Sequence, residues 1–65
     1  MKKDIIKTME TEYNKTLSMF YDSKTTENKT YYNGVLIGME SMLNAIGYCP
    51  VYQDHATVTI IKAGK

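Results

Sequence analysis

The sequence is short of several residue types on which binding sites and small folds commonly depend. It contains no arginine and no tryptophan, and only one cysteine and one proline. Arginine's forked guanidinium is the usual reader of guanine edges and phosphates, and the eight basic residues here are all lysines that form no cluster. With a net charge of only +1, this composition argues against sequence-specific nucleic-acid binding.

The scarcity of cysteine limits the ways in which so small a chain is stabilised. Cys49 alone excludes an internal disulfide, argues against a cysteine-based zinc site and fits a reducing setting. The 65 residues form at most one domain, 1–65, whose core supplies no more than about 3–5 kcal/mol. Association between copies is the remaining way to stabilise such a small domain. We therefore expect a homo-oligomer, most simply a two-fold dimer, without metal or cofactor.

Long apolar runs are missing as well. No stretch approaches the roughly 18 apolar residues of a membrane span, and Met1-Lys2-Lys3-Asp4 lacks the apolar run of a signal peptide. These absences predict a cytoplasmic protein that does not contact membranes.

Two amphipathic helices are predicted, over 4–21 and 26–46. Asp4 is the expected N-cap of the first helix and Thr25 or Thr26 that of the second, while Gly47 and then Pro50 end the second helix. The short polar link between them predicts an antiparallel hairpin. The first helix carries one apolar stripe at spacings of three and four, formed by Ile6, Met9, Tyr13, Leu17 and Phe20.

The second helix carries two different stripes. The large one, which we expect to face the core, consists of Tyr32, Val35, Leu36, Met39, Met42, Leu43 and Ile46. The small one lies within a sector of roughly 60° and consists of Gly34, Gly38, Ser41 and Ala45. Small residues at these spacings let two backbones approach closely. Three interpretations follow: packing inside one chain, a subunit interface, or a ligand groove.

After Gly47 the hydrophobic period changes from that of a helix to that of a strand. Residues 56–62 alternate and are rich in β-branched side chains, which predicts a strand with Val58 and Ile60 facing the core. Residues 50–53 are a weaker candidate that Pro50 confines to a sheet edge, with Asp54 and His55 in the turn. The predicted fold class is thus α+β: an antiparallel two-helix hairpin followed by a C-terminal strand or β-hairpin, in a dimer.

No residue pattern predicts catalysis, and we expect a protein that is not an enzyme. Cys49 and His55, considered as a nucleophile and its base, lack an orienting third group. We expect the four glutamates to be solvated charges. The six tyrosines are more informative because tyrosine is favoured at interfaces. Tyr13 and Tyr32 lie on core stripes. The candidate partner contacts are Tyr31, Tyr48 and Tyr52.

One segment carries a resemblance to known proteins. The run Tyr31-Tyr32-Asn33-Gly34-Val35-Leu36-Ile37-Gly38-Met39-Glu40, followed by Leu43 and Gly47-Tyr48, resembles the second helix of short accessory proteins of Gram-positive phages and mobile elements. That resemblance implies a non-enzymatic inhibitor that occupies the surface of a host defence or replication protein. Its alternative is a small-molecule or nucleotide sponge, with a site between subunits that uses tyrosines and Lys29 or Lys62. A third hypothesis is a structural subunit of a larger assembly.

Overall fold

The computed structural model describes residues 2–63, and the side chains of residues 4–63. Two helices, α1 (Lys2–Asp22) and α2 (Thr26–Ala45), are followed by two strands, β1 (Tyr48–Asp54) and β2 (Thr57–Lys62). The strands form an antiparallel two-stranded sheet that packs on the helix pair, with β2 against α1 and β1 against α2. The α+β class and the order of elements are therefore as predicted.

The ends of α2 follow the predicted capping chemistry. The Thr25 hydroxyl accepts a hydrogen bond from the Asn28 N–H at 3.1 Å, as an N-cap does. At the other end, Gly47 adopts a φ of 88°, a left-handed conformation that costs side-chain-bearing residues energy. At α1 the predicted N-cap is wrong: the helix begins at Lys2, so Asp4 lies inside its first turn. There its charge still complements the positive end of the helix dipole.

The β-hairpin differs from its prediction mainly in length and turn. β1 begins at Tyr48 and includes Asp54, so the turn consists of His55 and Ala56. The Asp54 carboxylate accepts from the Ala56 N–H at 2.9 Å, which supports the turn in the absence of a glycine and lowers the pKa of this exposed carboxyl. The register shifts between Tyr52 and Asp54, which leaves Gln53 without a paired residue in a bulge.

The core lies between the helix pair and one face of the sheet. Among the described residues six apolar side chains are buried, two each from α1, α2 and β2: Tyr13, Leu17, Leu36, Leu43, Val58 and Ile60. Val58 and Ile60 face inward as predicted, with Thr57 exposed and Thr59 half-buried. β1 contributes no fully buried side chain, and its Tyr48 packs against the core only in part.

The predicted core stripe of α2 is too wide. Leu36 and Leu43 are buried, but Met42 is 65% exposed and Ile46 is 48% exposed. Only α1 and two strands about 4.8 Å apart are available to cover α2, and they do not reach around its flank. Met42 and Ile46 are therefore surface residues.

Candidate interaction surfaces

The four small residues of α2 lie on the side of the helix opposite the core. Gly34, Gly38, Ser41 and Ala45 are all exposed. A β-carbon placed on Gly34 or Gly38 meets no side chain and no neighbouring element within 4 Å. The interpretation that this stripe packs against α1 or the strands of its own chain is therefore wrong. The subunit-interface and ligand-groove interpretations stay predictions.

Two large apolar side chains border the small stripe, one on each side. Ile37 is 54% exposed and Met42 is 65% exposed. With the small residues they form a surface that we call the outer face of α2: Gly34, Ile37, Gly38, Ser41, Met42 and Ala45. At about 100° per residue these six positions span a sector of about 140°. Glu40 is the one charged residue between 30 and 45, and it falls outside that sector.

The outward edge of β2 is closed by two side chains of α1. The Asn14 Oδ1 accepts from the Val58 N–H at 2.7 Å, and the Asn14 Nδ2 donates to the Val58 carbonyl at 3.2 Å. One turn earlier, the Glu10 carboxylate accepts from the Ile60 N–H at 3.2 Å. Glu10 is thus not the solvated charge that the sequence suggested. These bonds occupy groups with which another strand would otherwise pair.

The edge of β1 is the open one, and Pro50 lies at its middle. The backbone N–H groups of Val58 and Ile60 point toward α1. In an antiparallel pair, the backbone groups of their cross-strand partners Tyr52 and Pro50 therefore point away from β2. Hydrogen-bonded and non-hydrogen-bonded residue pairs alternate along an antiparallel ladder. The hydrogen bond from the Ala63 N–H to the Gly47 carbonyl, at 2.8 Å, agrees with this assignment of the pairs. Because proline has no N–H, the open edge lacks a donor at its centre. Pro50 is therefore at an edge position, as predicted.

The three candidate partner tyrosines have different surroundings. Tyr31 is 65% exposed, and its ring lies edge-on to Tyr32 at 5.1 Å between centroids. Tyr52 is half-exposed, but its hydroxyl lies 3.4 Å from that of the buried Tyr13. Burial, then the hydrogen bond to Tyr52, raises the pKa of the Tyr13 phenol far above its usual range. Tyr48 is half-buried, so only part of it is available to a partner.

An aromatic cluster where the β1–β2 turn meets the end of α1 could not be recognised from the sequence. The rings of Phe20 and Tyr21 meet edge to face at 5.1 Å, and Tyr21 meets His55 in the same way at 5.1 Å. The Lys29 ammonium lies 5.3 Å from the centre of the Phe20 ring, within cation–π range. Lys29 therefore already has a partner inside the chain.

Cys49 and His55 are not placed to act together. Cys49 is opposite Ile61 near the start of β1, whereas His55 follows the end of that strand. Five residues of extended chain from Cys49 to Asp54 span about 17 Å. A nucleophile and its base must lie within hydrogen-bonding distance. The structure therefore agrees with the sequence argument against this pair.

In the described part of the chain, a cavity opens at each end of the helix pair. One, of about 440 Å³, lies at the α1–α2 connection and is lined by Met19, Asp22, Ser23, Lys24, Asn28 and Tyr32. The other, of about 360 Å³, is lined by Ile6, Lys7, Glu10 and Tyr48.

Across the described residues, no cluster of three or more histidine, cysteine, aspartate or glutamate side chains could hold a metal ion. Within the same range, neither helix is long and apolar enough to cross a membrane.

Comparison of the chain with known protein families, with curated proteins and with solved structures finds no match in any of the three.

Proposed function

We propose that this protein is a small non-enzymatic binding module that forms a homodimer and occupies the surface of another protein. In the setting implied by its resemblance to accessory proteins of Gram-positive phages, the target is a defence or replication protein in the host cytoplasm. Inhibition would follow from covering a surface that the target needs.

The observation that carries this proposal is the excess of exposed apolar side chains. Six apolar side chains are buried among the described residues, whereas ten large ones are exposed: Ile5, Met19, Tyr21, Tyr31, Ile37, Met42, Ile46, Val51, Tyr52 and Ile61. Scattered single residues of this kind are ordinary, but grouped ones mark interaction sites. The outer face of α2 is one such group. Val51 and Ile61, both exposed on the outward face of the sheet, belong to another.

The contacts that we propose for the target are Tyr31 and Tyr52, together with the exposed part of Tyr48. A tyrosine offers a large contact area with few rotatable bonds, so little entropy is lost when it binds. Tyr52 is already oriented by the Tyr13 hydroxyl, which reduces that loss further.

Retention of a host protein by the tagged full chain tests the proposal. We expect one protein from a Gram-positive host lysate to be retained in stoichiometric amounts, and Tyr52→Ala to abolish its retention. Tyr21→Ala is the matched control, because Tyr21 is an exposed tyrosine outside the proposed contacts. Absence of a stoichiometric partner, or equal loss with both variants, would contradict the proposal.

The nucleotide sponge is the alternative, and one observation favours it. Tyr48 and Lys7 line the same cavity of about 360 Å³, and Lys62 is paired with Tyr48 across the sheet. A tyrosine and a lysine that line one cavity supply an aromatic surface for a base and a positive charge for a phosphate. Heating the purified protein and analysing the supernatant by mass spectrometry separates the two functions, since only the sponge releases a nucleotide.

A further inference from the structure

The outer face of α2 is symmetric along the helix. Gly34 and Ala45, Ile37 and Met42, and Gly38 and Ser41 are each placed equally far from the midpoint between Met39 and Glu40. A two-fold axis that lies between two copies, perpendicular to both helices and level with that midpoint, would place each level of the face opposite its counterpart in an antiparallel copy. A two-fold interface needs this property, because the same surface must be complementary to itself.

From this geometry we propose that the outer face of α2 binds the outer face of a second copy, with the two α2 helices antiparallel. The inference specifies the dimer of the proposed function and depends on it. Gly34 of one copy lies opposite Ala45 of the other, and Gly38 lies opposite Ser41. Small residues along this line let the two backbones approach closely.

The large side chains of the face fit the same arrangement. Ile37 lies to one side of the small stripe and Met42 to the other. In the antiparallel pair, Ile37 of each copy lies beside Ser41 of its counterpart, and Met42 lies beside Gly38. Each large side chain thus meets a small residue, as ridges meet grooves when helices pack.

The absence of charge also favours a second copy as the occupant. The face carries no charged residue, so two copies meet without repulsion or an unpaired buried charge. The accessible surface of 4758 Å² over 65 residues is about 73 Å² per residue, so six residues contribute about 440 Å².

The same area indicates a dimer that exchanges with its monomer. Two copies together would bury about 880 Å², which is below the roughly 1,200 Å² at which stable interfaces begin. We therefore expect the average mass measured by sedimentation to rise with concentration through the micromolar range.

Disulfide trapping tests both the face and its direction. In a Cys49→Ser background, Gly34→Cys protein is mixed with Ala45→Cys protein and oxidised, and the products are separated by mass. The antiparallel pair predicts mainly the mixed product, because two copies of position 34 lie 11 residues apart along the helix, about 16 Å. Equal or predominant self-linked product would overturn the antiparallel arrangement.

Gly38→Leu tests the face without cross-linking. Gly38 is exposed, and a β-carbon placed on it meets no neighbouring element within 4 Å, so we expect the folded monomer to tolerate a leucine that would separate the two helices of the dimer. We expect unchanged circular dichroism and a monomer at every concentration, while Lys15→Leu on the exposed side of α1 dimerises as the parent does. A parent protein that stays monomeric, or a Gly38→Leu protein that dimerises, would overturn the proposal. Neither measurement contains the host target, so failure here is distinct from failure to capture a host protein.

Discussion

The side-chain amide of Asn14 pairs with the backbone of Val58 as a neighbouring strand would, accepting at 2.7 Å and donating at 3.2 Å. Asn14 is in the middle of α1 and Val58 is the second residue of β2, 44 residues further along the chain. This link joins the first element of the fold to the last. It also turns the outward edge of β2 into a buried boundary between sheet and helix.

Replacing Asn14 should therefore cost more stability than a polar residue on a helix usually does. Asn14→Ala removes both bonds and leaves the Val58 N–H and carbonyl partly buried without a partner, at a cost of about 1–3 kcal/mol. Asn33→Ala, at an exposed position of α2, is the control for helix propensity and should change stability by less than about 0.5 kcal/mol. Urea unfolding measures both variants. Similar midpoints for the two would show that the link contributes little.

Pro50 should limit association through the open edge of β1. Pro50→Val restores an N–H at the centre of that edge and raises β propensity, so we expect faster aggregation on heating, followed by light scattering. Thr59→Val is the matched control, because it makes a β-branched position of β2 more apolar without adding an edge donor. If both variants aggregate at the rate of the parent, Pro50 does not protect the edge.

Local sequence signals account for most of the fold. The spacing of Ile6 to Phe20 predicts α1, and the change of period after Gly47 predicts the β-hairpin. Thr25 begins α2 because a side-chain acceptor is needed at the N-cap. Gly47 ends it because a left-handed residue is needed after the last turn. These features depend on neighbours in the chain, and a single sequence displays them.

The remaining features depend on how the elements pack, which the pattern does not display. Asn14 and Glu10 look like ordinary solvated residues until β2 lies beside α1. Met42 looks like a core residue, but whether it is covered depends on the width of the sheet. Tyr21 and His55 meet only because the hairpin turn reaches the end of α1. The candidate small stripe could be recognised from the sequence, whereas its exposure could not.

Met42 and Leu43 are adjacent in α2 and should respond oppositely to truncation. Leu43 has no exposed surface, so Leu43→Ala should cost about 2–5 kcal/mol and unfold much of this small protein. Met42→Ala should change the stability of the monomer by less than about 0.5 kcal/mol. Urea unfolding at concentrations below dimer formation makes the comparison. A large loss of monomer stability with Met42→Ala would show that this side chain is covered within its own chain.

Stability should fall in alkaline solution because of Tyr13. In the folded chain, burial and the hydrogen bond to Tyr52 raise the pKa of the Tyr13 phenol above its ordinary value of 10.0. Below pH 10 the phenol is protonated in both states, so it adds no pH dependence. Above pH 10 the unfolded chain releases this proton while the folded chain retains it, so the free energy of unfolding decreases as the pH rises. The decrease is at most about 1.4 kcal/mol per pH unit, which is the limit when one proton is bound in the folded chain and released in the unfolded chain. Urea unfolding between pH 9 and pH 11 should show a steeper loss of stability for the parent than for Tyr13→Phe.

Tyr31→Phe, which changes an exposed phenol, is the control and should follow the parent. Parallel curves for the parent and Tyr13→Phe would show that Tyr13 ionises as readily in the folded chain as in the unfolded one.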